Sequence, residues 1–296
     1  MNTLLLAPLA LVLAGIAAGS LVARVIGPRN AAGVLTLFCG FAALATVAAL
    51  VQVTFAGLSE VAVVADAIGW CRALYGGGHG ATPVVGLVAG AVLGGVAIGA
   101  IRYARKVRSE MAAFAGINGL EIVEIDGPVA FTVPGRPGGV VIGTGLLRSL
   151  DADARSALIA HENAHLMFHH HRYVRFTELC AAGLPFLKPL ARQVRFMTER
   201  WADEVAADRV GSRQLVAETI ARVALMSNSA PVGSALGFGG RGGATARVDA
   251  LMNPTSGSRG IGLLGSTTMI MIVVLGAGLQ VHHLARFLAH VCGTGA

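Results

Sequence analysis

The 296-residue chain has few charged and few aromatic residues: Asp, Glu, Lys and Arg make up 13% of it, and Phe, Trp and Tyr 5%. Soluble globular domains carry about 25% charged residues, so this composition argues against an ordinary water-soluble protein. The four cysteines include no CxxC pair, which argues against a structural zinc site and against a disulfide framework. With 54% hydrophobic residues and a mean hydropathy of +0.68, the chain is predicted to lie in a membrane.

The charges that are present lie in the middle of the chain. Of the 23 Lys and Arg residues, 19 fall between residues 102 and 259, and so do 14 of the 16 Asp and Glu residues. Both flanks are therefore almost uncharged. This pattern predicts a water-exposed domain between membrane-spanning ends.

A membrane-spanning helix needs about 20 mainly apolar residues, and four uncharged stretches approach or exceed that length. They are residues 4–23, 34–58, 84–101 and 261–281. The first lacks the positively charged leader of a secretory signal and is followed by further spans, so we expect it to be retained. The sequence thus predicts a membrane domain with three spans (1–101), a central domain (102–259) and a fourth span with a short tail (260–296).

The positions of the basic residues predict the orientation. Basic residues follow the first and third stretches, whereas the loop after the second carries Glu60 and Asp66 against Arg72 alone. Cytoplasmic loops are enriched in Lys and Arg, so we expect a multi-pass protein of the cell membrane whose amino terminus is extracytoplasmic and whose central domain is cytoplasmic. The net charge of +7 is then attributed to topology and to contact with anionic lipids of the bilayer, and no direct nucleic-acid binding is expected.

The central domain is predicted to be α+β, within a chain that is mainly α. Short alternating or apolar runs predict three strands, at residues 120–125, 129–133 and 139–143, forming a small antiparallel sheet. Asp151 is predicted to cap a helix that continues to about Phe176. Beyond it we expect a helical hairpin over 179–196 broken by two prolines, a helix over 197–227 and a flexible Gly-rich connector over 233–243.

The most informative motif lies in the predicted capped helix, where residues 161–165 read His-Glu-Asn-Ala-His. On a helix this HExxH spacing places two imidazoles one turn apart on one face, as in zinc-dependent peptidases. Catalytic zinc has three protein ligands and a fourth position for water. His161 and His165 are the predicted ligands. Glu162 is the predicted general base, accepting a proton from the attacking water and passing it to the leaving amine.

The third ligand must come from elsewhere, and two acid pairs are candidates: Glu199 with Asp203, and Glu204 with Asp208. Glu199 and Glu204 are about 140° apart on one helix, so only one of them can face the metal. The acid four residues later would accept a hydrogen bond from a ligand histidine. His169, His170 and His171 extend the motif helix and are interpreted as its solvated end, and Phe196 and Trp201 as core or interface residues.

The HENAH motif, three preceding spans and a downstream E-x-x-A-D segment resemble the BlaR/MecR-type membrane-embedded zinc metallopeptidases, which are gluzincins, and more distantly the HtpX-type peptidases. The resemblance implies a zincin-like protease domain with zinc ligands at His161, His165 and a downstream Glu. Glu199-Arg-Trp-Ala-Asp203 matches the BlaR-type form and Glu204-Val-Ala-Ala-Asp208 the HtpX form, and we favour Glu199 with Asp203. The penicillin-binding sensor domain of BlaR-type proteins is not expected here.

Three functions are consistent with these sequence features. The first is an integral-membrane zinc endopeptidase with one Zn²⁺ per chain and a protein or peptide substrate; the resemblance implies a cytosolic transcriptional repressor. The second is HtpX-like quality control of membrane proteins. The third is a non-catalytic membrane sensor or scaffold that retains zinc for stability, against which the intact Glu162 argues. For an enzyme, we expect the 139–143 strand to hold the substrate by strand addition.

Overall fold

The computed structural model describes residues 26–58, 61, 82–114, 116–135, 138–229 and 241–253. Within these ranges the fold is mostly helical, with one small sheet. The elements in chain order are α1 (Pro28–Leu58), α2 (Pro83–Ala112), β1 (Gly119–Val123), β2 (Ala130–Val133), β3 (Gly139–Gly143), α3 (Thr144–Ser149), α4 (Ala152–Met167), α5 (His170–Gly183), a 3₁₀ turn (Pro185–Leu187), α6 (Lys188–Val210), α7 (Arg213–Ser229) and α8 (Arg241–Met252). The predicted spans 4–23 and 261–281 lie outside the described residues.

In the part of the chain that the structure describes, two helices, α1 and α2, are long and apolar enough to cross a membrane. They contain 31 and 30 residues, and each has an 18-residue window with a mean hydropathy of 2.4; they include the predicted spans 34–58 and 84–101. Only 28% and 11% of their most apolar windows are buried, whereas the core helix of a soluble protein would be mostly buried. Their exposed apolar side chains include Leu37, Leu44, Val88, Val92 and Ile98. These helices are thus consistent with a membrane protein by length, composition and exposure.

The helix α1 contacts different partners along its length. Near its carboxyl end it crosses α2 at Gly57 and Gly86, where a Cβ on Gly57 would lie 2.5 Å from the Cα of Gly86, so the two backbones touch. Its amino-terminal half instead packs on the 3₁₀ turn and α6. That contact includes the buried residues Leu35, Phe38, Cys39, Leu187, Leu190 and Val194. The helix therefore joins α2 to the central domain.

The sheet is mixed, and the predicted antiparallel sheet is wrong in this respect. Its strand order is β1-β3-β2, with β3 parallel to β1 and antiparallel to β2. The strand β3 (Gly-Val-Val-Ile-Gly) is buried along its whole length, and such an apolar strand is most stable between two others. Both of its edges are paired. The expectation that residues 139–143 would accept a substrate strand is therefore wrong, and within the described residues the free edges belong to β1 and β2.

The motif helix α4 begins as predicted but ends earlier. The Asp151 carboxylate accepts a hydrogen bond from the Ala154 amide at 2.8 Å, which caps the helix. It ends at Met167 and not near Phe176, because His169 adopts a left-handed conformation with φ of 52°. This conformation is rare outside glycine, and no glycine or proline in the sequence marked the break. The chain turns there and starts α5 at His170.

The helices downstream also differ from the prediction. Pro189 lies in the first turn of α6, where a missing amide hydrogen has no cost, so it starts this helix and does not break a hairpin. The predicted helix over 197–227 is two helices, since Gly211 ends α6 with φ of 72°. The helix α8 begins at Arg241, inside the predicted connector; residues 233–240 lie outside the described residues.

Small side chains bring the motif helix against α6. Ala157 and Ala160 of α4 and Ala206 and Ala207 of α6 are buried in one cluster, which α7 and α8 complete with Val216, Ile220 and Leu251. Alanine lets two helix backbones approach closely, and this approach places the acids of α6 opposite the histidines of α4.

Candidate metal centre

The two motif histidines converge on one point. His161 and His165 lie one turn apart on α4, and their Nε2 atoms are 3.1 Å apart. His161 is 4% exposed and the following Glu162 is 3% exposed, so the motif is buried within the domain. The HExxH helix thus presents both imidazoles to a shared position in a protected site.

Of the two candidate acids, Glu199 lies beside these histidines. Its Oε2 is 3.5 Å from His161 Nε2, and its Oε1 is 3.6 Å from His165 Nε2. Glu204 instead pairs with Arg213, whose Nη1 is 3.1 Å from Glu204 Oε1. Asp208 is exposed. The structure therefore brings the first acid to the histidine pair and not the second.

The spacing of these donor atoms suits a zinc ion. Ligands at about 2.0–2.1 Å in a tetrahedral site are separated by about 3.3 Å, close to the 3.1–3.6 Å between the three groups. The charges suit it too. Three carboxyl groups, Glu162, Glu199 and Asp203, share the site with one guanidinium, Arg247, so a divalent cation would balance the charge.

The far nitrogen of each histidine also has a partner. The Nδ1 of His161 lies 2.9 Å from Asp203 Oδ1. The Nδ1 of His165 lies 2.9 Å from Nδ1 of His170, which is 1% exposed and lies against Trp201, with ring centroids 4.5 Å apart. Such contacts fix the ring orientation and leave Nε2 available to a metal. The interpretation of residues 169–171 as a solvated helix end is therefore wrong for His170.

A buried arginine, Arg247, connects the carboxylates of Asp203 and Glu199. Arg247 of α8 donates to both carboxylate oxygens of Asp203, at 2.7 and 2.6 Å, and its Nη1 lies 3.0 Å from Glu199 Oε2. It is 2% exposed. Buried charges are stable only when paired, so this ion cluster fixes the positions of both carboxylates.

Glu162 has a partner in the sheet. Thr132 of β2 lies with its Oγ1 2.8 Å from Glu162 Oε2 and 3.1 Å from the Glu162 carbonyl oxygen. The hydroxyl can donate to the carboxylate and limit its rotation. The free-edge strand β2 therefore lies directly beside the motif glutamate.

The sequence of the central domain matches a known family. A model of peptidase family M48 matches residues 102–252, more than half of the 296-residue chain. The chain belongs to peptidase family M48. Members of this family are zinc-dependent peptidases, and the cluster of His161, His165 and Glu199 described above is a potential metal site. Searches of curated proteins and of solved structures found no match.

The electrostatics of this M48 site favour a bound cation. Burial lowers the pKa of His161, but hydrogen bonds to Asp203 and Glu199 outweigh burial and raise it to about 9. Burial raises the pKa of Glu199, but the neighbouring His165 and Arg247 lower this pKa by more than burial raises it, so the net shift is downward. The point between these groups therefore stabilises positive charge, whether of a proton or of a metal ion.

Three residues of the M48 site have no role in the site predicted from the sequence. Thr132 had no signal, because one threonine in a short strand is ordinary. Arg247 is a lone cation between small and apolar residues, 44 positions after Asp203, and only tertiary packing unites the two. His170 was predicted to lie at the solvated end of the motif helix, because the helix was expected to continue without a break. Burial lowers its pKa to about 3, so this imidazole is neutral.

Proposed function

We propose that this M48 chain is an integral-membrane zinc-dependent endopeptidase in which His161, His165 and Glu199 hold one zinc ion. The observation that carries the proposal is the convergence of these three donors at 3.1–3.6 Å inside a buried site whose carboxyl groups outnumber its guanidinium. Asp203 and His170 then orient the two ligand rings. Glu204 and Asp208, the alternative pair, lie away from the histidines.

Catalysis needs a base beside the metal, and Glu162 has that role. A bound zinc ion supplies Lewis acidity, lowering the pKa of water and polarising the scissile carbonyl. Glu162 accepts the proton of the attacking water and delivers it to the leaving amine. Thr132 donates to Oε2 of this carboxylate, which leaves Oε1 to take the proton. A structural zinc site would have no need of these two residues.

The substrate binds as an extended strand along the free edge of β2. This strand is antiparallel to β3, and its Thr132 contacts Glu162, so a peptide added to its outer edge passes beside the general base. The test uses the backbone of the substrate. N-methylation of peptide amides flanking the scissile bond should raise KM with little effect on kcat, since it removes strand hydrogen bonds; an unchanged KM would exclude this edge.

The membrane domain sets where cleavage occurs. The spans α1 and α2 are apolar and poorly buried, and Arg102, Arg105, Lys106 and Arg108 follow the apolar part of α2. By the distribution of basic residues, the protease domain (102–259) is cytoplasmic, between three amino-terminal spans (1–101) and a fourth (260–296). Its partners are the bilayer and a protein or peptide substrate.

Two substrate classes fit a cytoplasmic membrane peptidase. A BlaR-type role is cleavage of one cytosolic repressor at one site, which relieves repression. An HtpX-type role is degradation of damaged membrane proteins at many sites. The geometry of the buried site favours neither. Proteomic comparison of cells with and without the peptidase separates them by the number of proteins cleaved.

The decisive experiment replaces the general base. The full chain is purified in detergent, and bound zinc and casein cleavage are measured for the native protein, Glu162→Gln and the control Glu124→Gln, an exposed acid outside the site. We expect about one zinc per chain in all three, and cleavage at least about a hundredfold slower in Glu162→Gln only. If Glu162→Gln cleaves casein as fast as the native chain, the cleavage does not arise from the proposed site. That outcome would support the non-catalytic sensor or scaffold instead.

A further inference from the structure

A cavity lies at the amino-terminal end of α6, whereas the metal ligand Glu199 lies in the middle of this helix. It has a volume of about 330 Å³ and lies between α2, α5 and the first turns of α6. Its lining includes Tyr103, Glu178, Ala181, Lys188, Arg192 and Arg195. The volume is in the range of sites for small molecules. None of these residues contributes to the metal centre.

The cavity has an excess of positive charge. Glu178 accepts a hydrogen bond from the Tyr103 hydroxyl at 2.8 Å and forms an ion pair with Arg195, so its charge is balanced. Lys188 and Arg192, one turn apart on α6, are exposed, and within the described residues no acidic side chain pairs with either. Two cations on one face of a cavity, near the positive end of the α6 dipole, favour an anion.

The cavity lies at the end of the apolar part of α2. Gly99 of α2 packs directly against the carbonyl of Ala182, and Gly183 against Val96, so the carboxyl end of α5 meets the last apolar turns of α2. Arg102 is the first charged residue after those turns, and Tyr103 lines the cavity. If α2 crosses the bilayer, the cavity is therefore level with the phosphate groups of the lipid. Ala181 and Ala191, which also line the cavity, provide an apolar surface beside the cations.

We propose that this cavity binds the headgroup of an anionic phospholipid, with its phosphate between Lys188 and Arg192 and its glycerol and first acyl carbons against Ala181 and Ala191. Basic pockets beside spanning helices at the cytoplasmic surface suit such headgroups in charge and depth. The proposal rests on the membrane location given under Proposed function. It does not depend on peptidase activity.

The test measures binding of single lipid molecules to the full chain in detergent. Delipidated protein is titrated by calorimetry with a short-chain phosphatidylglycerol, with phosphatidylcholine of the same chain length and with inorganic phosphate. Four proteins are compared: the native chain, K188Q/R192Q, the charge-conserving K188R/R192K and the control R105Q/R108Q. The control removes two exposed cations near the same surface that do not line the cavity.

We expect phosphatidylglycerol to bind the native chain, the control and K188R/R192K with affinities within about a factor of three, and K188Q/R192Q about thirtyfold more weakly. Phosphatidylcholine and inorganic phosphate should bind more weakly than phosphatidylglycerol to the native chain. Equal loss in the control would indicate general attraction to basic surface and overturn the proposal. So would equal binding of phosphate, or unchanged binding to K188Q/R192Q. Bound zinc and circular dichroism verify folding, and a failed Glu162→Gln test leaves these outcomes unaffected.

Discussion

At the scale of single residues, the two ligand histidines have different supports. His161 faces the carboxylate of Asp203, whereas His165 faces the neutral imidazole of His170. If Nε2 of His165 binds metal, its Nδ1 carries the hydrogen and donates it to His170, whose own proton then lies on Nε2. A carboxylate makes its histidine a stronger base, but an imidazole only orients its partner. The two ligands are thus unequally dependent on their outer contacts.

This difference predicts the effect of changing His170. In His170→Phe the ring of His165 loses its acceptor, and we expect zinc affinity to fall about tenfold to a hundredfold. Competition with a chelator of known affinity measures it. His171→Gln is the matched control, since His171 contacts no predicted ligand in the described residues. Unchanged affinity in His170→Phe would mean that the 2.9 Å contact does not orient the ligand.

The choice of third ligand predicts a second contrast. Glu199→Gln should lose bound zinc, because the substitution replaces a charged donor that lies 3.5 and 3.6 Å from the histidine nitrogens. Glu204→Gln should retain zinc and lose only its ion pair with Arg213. Metal analysis of both purified variants gives the answer. Zinc loss in Glu204→Gln alone would mean that Glu204, and not Glu199, is the third ligand.

Thr132 provides a test of the general base that spares the metal. Thr132→Val keeps the shape of the side chain and removes the hydroxyl that contacts Glu162 at 2.8 Å. A hydrogen bond to a charged group is worth about 1.5–3 kcal/mol, so we expect kcat to fall at least about tenfold with zinc content unchanged. Thr144→Val, at a half-buried threonine outside the site, is the control. Equal kcat values in the two variants would exclude this role.

At the scale of elements, local signals were predictable and tertiary ones were not. The Asp151 cap and the HExxH helix depend on residues near in sequence, and both were predicted. The break at His169 was not predicted, because tertiary packing overrides the helical preference of the residues around it. The strand order was not predicted either. The central position of the apolar β3 depends on its pairing with β1 and β2, which local sequence does not specify.

The end of α6 depends on one glycine. Gly211 has φ of 72°, which a residue with a Cβ adopts at a cost, although there is space for the added carbon. Gly211→Ala should therefore lower the free energy of unfolding by about 1 kcal/mol. Gly243→Ala is the control, since Gly243 lies inside α8 with the same free space and should gain stability. Thermal unfolding compares the two; a gain in both would show that the conformation at Gly211 is not strained.

At the scale of the whole molecule, the site unites segments that are distant in sequence. The sheet contributes Thr132, α4 the motif, α6 the acids and α8 Arg247. The motif residues of α4 and two candidate acid pairs could be proposed because their spacing is characteristic, and packing brings the pair Glu199 and Asp203 to the histidines. Arg247 could not, because its role exists only once α8 packs on α6.

This ion cluster predicts how metal and stability are linked. In Arg247→Gln, the buried Asp203 and Glu199 lose their guanidinium, which should cost about 3–5 kcal/mol. Zinc would then be the remaining cation facing Glu199, so chelation should lower the Tm of this variant more than that of the native chain. Arg213→Gln, which breaks the more exposed pair with Glu204, is the control and should respond to chelator like the native chain. A chelator-induced shift in Tm that is equal in Arg247→Gln and the native chain would mean that metal and arginine do not balance the same charges.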